Sequence, residues 1–140
     1  MKKKRSFKLT LPLSVIYNTT KAGKEYKFLI NLNDYRAKGT KFFILNKAKQ
    51  VFHELVGKQI EELPILTPPI RCNYTVFRKD RRDYDVNNVC SIADKFFMDA
   101  LVERGKIPDD NQRYYLGFGE TNHGGVDKEN PRIEVEIKEI

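Results

Sequence analysis

Residues 86–105 read VNNVCSIADKFFMDALVERG, and this stretch decides the fold. Val89, Ile92, Ala93, Phe96, Phe97, Ala100 and Leu101 recur at the i, i+3, i+4, i+7 spacing of an amphipathic helix. Asn87 or Asn88 caps its start, and Gly105 closes it. A helix with so continuous an apolar stripe must bury it against a sheet or another helix, so the flanking segments are read for strands.

Upstream, Ile70 to Phe77 (IRCNYTVF) is rich in β-branched and aromatic residues and reads as a strand. Downstream, residues 112–120 (QRYYLGFGE) read as another, followed by a turn at Asn122-His123-Gly124-Gly125. Residues 132–137 then alternate strictly, and the spacing predicts that this last pair forms a hairpin. Near the start, residues 7–17 (FKLTLPLSVIY) predict one strand with an edge or bulge at Pro12. The polar turn of residues 18–25 leads into YKFLINL, ending near Leu32, and the two strands predict a second hairpin. Between Lys41 and Val56 the apolar residues Phe43, Ile44, Ala48, Val51, Phe52 and Leu55 recur at helical spacing, with Gly57 as the stop. The order is β-β-α-β-α-β-β: an α+β (mixed α/β) fold with two helices packed on one mixed sheet. At 140 residues, with no linker or repeat, residues 1–140 form one domain.

Charge narrows the function. The net charge is +7, but residues 1–82 hold 19 Lys/Arg against 6 Asp/Glu, while residues 83–140 hold 7 against 13. Cations that grip phosphates joined to carboxylates that hold a metal are what a nuclease needs; uneven scatter of surface charge is the plain alternative. No apolar run suits a membrane span, and the lysine-rich start lacks the apolar core of a signal peptide. The expectation is a cytoplasmic protein. Cys72 and Cys90 have no second Cys or His at zinc-ligand spacing, and nothing suggests a secretory disulfide.

Six aspartates crowd between Asp83 and Asp110. Asp83 and Asp85, one residue apart on an extended chain, point the same way. Mg²⁺ (or Mn²⁺ in its place) binds through one or two carboxylates plus water and phosphate oxygens, and it can activate water against a phosphodiester. On the helix, Lys95 and Asp99 share one flank of the apolar stripe and Asp94 lies on the other. Lys95 either neutralises a phosphate or forms an i,i+4 ion pair with Asp99. Asp83 and Asp85 are otherwise loop and capping residues, and Asp109-Asp110 a solvated turn. Arg78, Lys79, Arg81 and Arg82 beside them are the best phosphate contacts. Tyr35 and Arg36 offer an aromatic surface among cations, as nucleic-acid binding favours. Lys2 to Arg5 form either a phosphate-binding arm or a solubilising tail. Met98 and Val102, on the helix face away from the stripe, are candidates for a dimer contact, and His123 is structural or incidental.

The segment from Arg81 to Asn111 resembles the signature stretch of the RusA family of Holliday junction resolvases: basic residues, an Asp-x-Asp pair, a helix carrying Lys and then Asp-Ala-Leu, and a closing Asp-Asp pair. Lys95 and Asp99-Ala100-Leu101 keep the Lys-to-Asp step, Asp109-Asp110 fits the closing pair, and Asn33-Asp34-Tyr35-Arg36 looks like the family's early Asn/Tyr/Arg loop. The resemblance implies a homodimeric, Mg²⁺-dependent endonuclease of DNA recombination and repair that nicks four-way junctions in pairs. It needs no small-molecule cofactor, and the likeness is to phage-type members acting in a bacterial host. It implies Asp83, Asp85 and Asp110 as metal-binding acids, with Lys95 assisting at the phosphate and Asp109 beside them. The sequence departs from the family in one place. Asp85 lies ten residues before Lys95, where better-known members leave four; that position here is Ser91. Either the helix start is longer, or Asp94 takes part of the metal, or Asp85 and Asn87 match the Asp-x-Asp pair. The alternative function is a branched or single-stranded nucleic-acid-binding protein without catalysis. An acidic DNA mimic fits poorly with the basic first half.

Overall fold

The structure is a computed structural model describing residues 3–38 and 40–140; Lys2 of the basic N-terminal run lies outside the described residues. These residues form β1 (Ser6–Leu11), β2 (Ser14–Thr19), β3 (Glu25–Leu29), α1 (Leu32–Ala37), α2 (Phe42–Glu61), β4 (Ile70–Arg78), α3 (Val86–Glu103), β5 (Tyr115–Val126) and β6 (Arg132–Glu139). The class is α+β as the periodicities predict, with three helices and with the strands divided between a four-stranded mixed sheet and a two-stranded ribbon.

The first expected strand is two. Pro12 cannot donate to a ladder, and the chain turns there. β1 runs antiparallel to β6, from Ser6 opposite Lys138 to Leu11 opposite Ile133, while β2 pairs only with β3. β1 is an edge strand, and the Gln59 amide of α2 covers its open side, accepting from Thr10 N and donating to Thr10 O, both at 2.8 Å. An edge so occupied offers little to a foreign strand.

The expected C-terminal hairpin is also absent. The sheet order is β1-β6-β4-β5, so β4 separates β5 from β6. β4 is antiparallel to β6 but parallel to β5, and α3 is the crossover between the parallel pair. Strand–helix–strand spacing of this length is the signature of such a unit. Residues 122–125 are strand, not turn. Gly124 lies where a side chain would collide with the Thr75 and Phe77 side chains of β4, so its lack of one leaves them room.

The helices differ at their ends. α1 was not expected; Asn31 caps it by accepting from Asp34 N at 2.8 Å. α2 continues through Gly57 to Glu61, because the missing side chain at Gly57 admits the Arg104 guanidinium, which pairs with Glu61. Its buried stripe is Ile44, Ala48, Phe52, Val56, Gly57 and Ile60; Phe43 and Leu55, expected inside, are 72% and 58% exposed. α3 is capped by Asp85, not Asn87 or Asn88, through Asn87 N at 2.9 Å. It ends as expected at Gly105, whose φ is +72°, with Lys106 N donating to Leu101 O and Gly105 N to Val102 O. Met98 is 2% exposed and Val102 packs against the core, so neither offers the outward dimer contact expected of it. Phe96 anchors the interior, its ring 5.8 Å from Phe28 and 5.5 Å from Phe52. Both cysteines are free and buried. Among the described residues no helix is long and apolar enough to cross a membrane.

Candidate active site and nucleic-acid interface

The parallel pair β4 and β5 carries Tyr74 and Tyr115, which both turn toward α3. There Asp94 Oδ1 accepts both hydroxyls, from Tyr74 at 2.6 Å and from Tyr115 at 2.5 Å. Asp94 Oδ2 accepts no hydrogen bond among the described residues and is not sealed in the interior. Burial pushes the Asp94 carboxyl above the usual range; the two hydroxyls and Lys95 pull it back, and the Asp110 charge adds to the rise. Asp110 is itself raised by desolvation, by Asp109 and by Asp99. Asp109 is lowered, because its side chain accepts from Asp110 N at 2.7 Å and from the Asn111 amide at 3.1 Å. Asp94, Asp99, Asp109 and Asp110 thus act on one another electrically, although the sequence separates them between a helix and the loop beyond it.

Lys95 is exposed and makes no ion pair among the described residues. Asp99, its expected i,i+4 partner, pairs instead with Lys49 of α2 at 3.1 Å. The Lys95 ammonium lies 6.0 Å from the ring centroid of Tyr35, a half-buried residue of α1. Arg36 beside it is exposed.

Asp83 and Asp85 sit elsewhere. Asp85 caps α3, and nine residues of helix set Asp94 about 13 Å further along the axis. Asp83 lines a shallow cavity of ≈ 280 Å³ with Arg81, Arg82, Tyr84 and His123. Arg78 stacks on Tyr84 at 4.0 Å, and the Tyr84 hydroxyl bonds His123 Nδ1 at 2.6 Å. Arg82 lies 3.7 Å from Asp80, and Lys79 and Arg81 are exposed. The basic run and the Asp-x-Asp pair therefore occupy one end of α3, and the Asp94–Asp110 group lies further down it.

For a divalent ion, no group of three or more His, Cys, Asp or Glu residues is arranged to hold one among the described residues. The Asp94–Asp110 pair nevertheless fits a hard cation. Both are oxygen donors, the Asp110 charge raises the Asp94 carboxyl, and Asp94 keeps one oxygen open. Mg²⁺ commonly takes one or two carboxylates and completes its shell with water and phosphate.

Sequence reasoning missed Tyr74, Tyr115 and Tyr84. The alternation of β4 marks Tyr74 as inward-facing, but only the parallel pairing of β4 with β5 brings Tyr115 to the same carboxylate. Comparison with protein-family models and with curated protein sequences gives no match for this chain.

Proposed function

We propose that this chain is a Mg²⁺-dependent, structure-specific endodeoxyribonuclease of the RusA type, resolving four-way DNA junctions by paired nicks as a homodimer in a bacterial cytoplasm. The observation that carries the reading is the meeting of Tyr35 and Lys95 beside Asp94. Two stretches that the RusA resemblance picks out separately, the early Asn/Tyr/Arg loop and the Lys-bearing helix, come into contact in the fold.

Asp94 and Asp110 would hold the ion, which would supply polarisation of the phosphate and activation of the attacking water. Lys95 balances charge on the phosphate, and Tyr35 and Arg36 lie along the approach of the strand. Arg78, Lys79, Arg81 and Arg82 grip backbone phosphates at the start of α3, where Asp83 and Asp85 serve the local structure and the edge of that grip. Exposed Phe42 and Phe43, 76% and 72% accessible, supply apolar surface for the second copy.

The test is nicking of a synthetic four-way junction and a matched linear duplex in Mg²⁺ or EDTA, with Asp94→Asn, Asp110→Asn and the double variant Asp83→Asn/Asp85→Asn. Paired, Mg²⁺-dependent nicks lost in the first two variants support the reading. Tight junction binding without cutting in any divalent metal refutes it. That outcome would favour the second reading, a non-catalytic branched-DNA-binding protein.

A further inference from the structure

We propose that Tyr74 and Tyr115 are positioning residues: by both donating to Asp94 Oδ1 they fix the carboxylate so that Oδ2 faces the divalent cation. The inference rests on the reading of Asp94 as a cation ligand given above and adds the two residues that make it one.

The geometry is specific. The two hydroxyls come from adjacent parallel strands, at 2.6 and 2.5 Å, and converge on one oxygen of a carboxylate borne by the crossover helix. Tyr74 is fully buried and Tyr115 nearly so, so neither hydroxyl has a competing water. Here one oxygen takes two donors while the other takes none from the described residues. That asymmetry suits a ligand held at one end and open at the other.

The experiment measures Mn²⁺ affinity of the full chain without DNA, by electron paramagnetic resonance, alongside Mn²⁺ titrations of junction cleavage. The variants are Asp94→Asn, Tyr74→Phe, Tyr115→Phe and the double Tyr variant. Removing one positioning hydrogen bond is expected to weaken Mn²⁺ binding by about five-fold in each single Tyr variant and more in the double. Raising Mn²⁺ should restore cleavage by the Tyr variants but not by Asp94→Asn. A merely structural role would follow the melting temperature and would not respond to metal. Unchanged Mn²⁺ affinity in the double Tyr variant, or in Asp94→Asn, overturns the inference, as does a cleavage defect that metal does not rescue. If the wild type binds Mn²⁺ in the expected variant order yet never cuts DNA, the nuclease reading falls and the positioning role stands.

Discussion

The ammonium of Lys95 lies 6.0 Å from the centre of the Tyr35 ring, joining the short helix α1 to the outer flank of α3. With Asp99 committed to Lys49, Lys95 makes no salt bridge among the described residues. Lys95→Ala is therefore expected to lower the junction cleavage rate by about 10²-fold, the scale of removing one transition-state donor, with little change in junction affinity. Single-turnover kinetics at saturating enzyme check this. Tyr35→Ala should weaken binding more than it slows cutting.

The basic end of α3 predicts a salt effect. For duplex DNA, every phosphate the protein ceases to neutralise reduces the slope of log K against log salt by about 0.9. Arg81→Ala and Arg82→Ala should each flatten that slope by roughly this amount in fluorescence anisotropy titrations. Cleavage at saturation should hardly move.

Asp94 is expected to lower stability for the sake of its function. Its carboxyl is raised chiefly by burial, so the folded protein holds the proton more tightly than the unfolded chain does. The ionised form then costs stability above the ordinary aspartate value of 3.8, increasingly as pH rises through the folded value. Asp94→Asn keeps an oxygen for both tyrosines and removes the charge. Its melting temperature in EDTA should match or exceed the wild type at pH 7, and the difference should shrink toward zero as pH falls to 3.8.

Glu139 behaves in the opposite sense. Its side chain accepts from Arg5 at 2.7 and 2.8 Å and from Thr67 N at 2.7 Å, and these hold it down at about 2 against an ordinary 4.5. A depressed carboxyl stabilises the fold fully above 4.5, and that stabilisation is lost as pH falls from there toward about 2. Glu139→Gln should lower the melting temperature by on the order of 5 °C at pH 7. Its curve should converge with the wild type in acid, as circular dichroism would show.

Gly57→Ala tests the end of α2. The added methyl would displace only the mobile tip of Arg104, breaking a partly exposed pair with Glu61, while alanine gains about 1 kcal/mol of helix propensity. Denaturant unfolding should show a net change within about 1 kcal/mol of zero.

Periodicity carried the two long helices well because a core stripe repeats many times along them: α3 was legible except for its cap, α2 only as far as Gly57, and the short α1 not at all. Gly57 misled because its role is set by Arg104, a residue on another element. The strand segments were found, but of their pairings only the β2–β3 hairpin was legible. Alternation shows which face of a strand is buried and says nothing of which strand lies beside it. The parallel pairing of β4 and β5 therefore stayed hidden, and with it the junction of Tyr74, Tyr115 and Asp94. The carboxylates were visible as a crowd, yet Asp85 and Asp94 differ in what they face: a helix end for one, two tyrosines for the other.

The position of β6 between β1 and β4 bears on how the chain acquires its shape. The last of the six strands in chain order lies between the first and the fourth, so neither neighbour can complete its ladder until that late segment arrives. Assembly must then wait on pairing between distant parts of the chain, which folds more slowly than one built from neighbours. Until it is complete, β1 and β4 present unpaired edges, and this interval is when the protein is most exposed to aggregation.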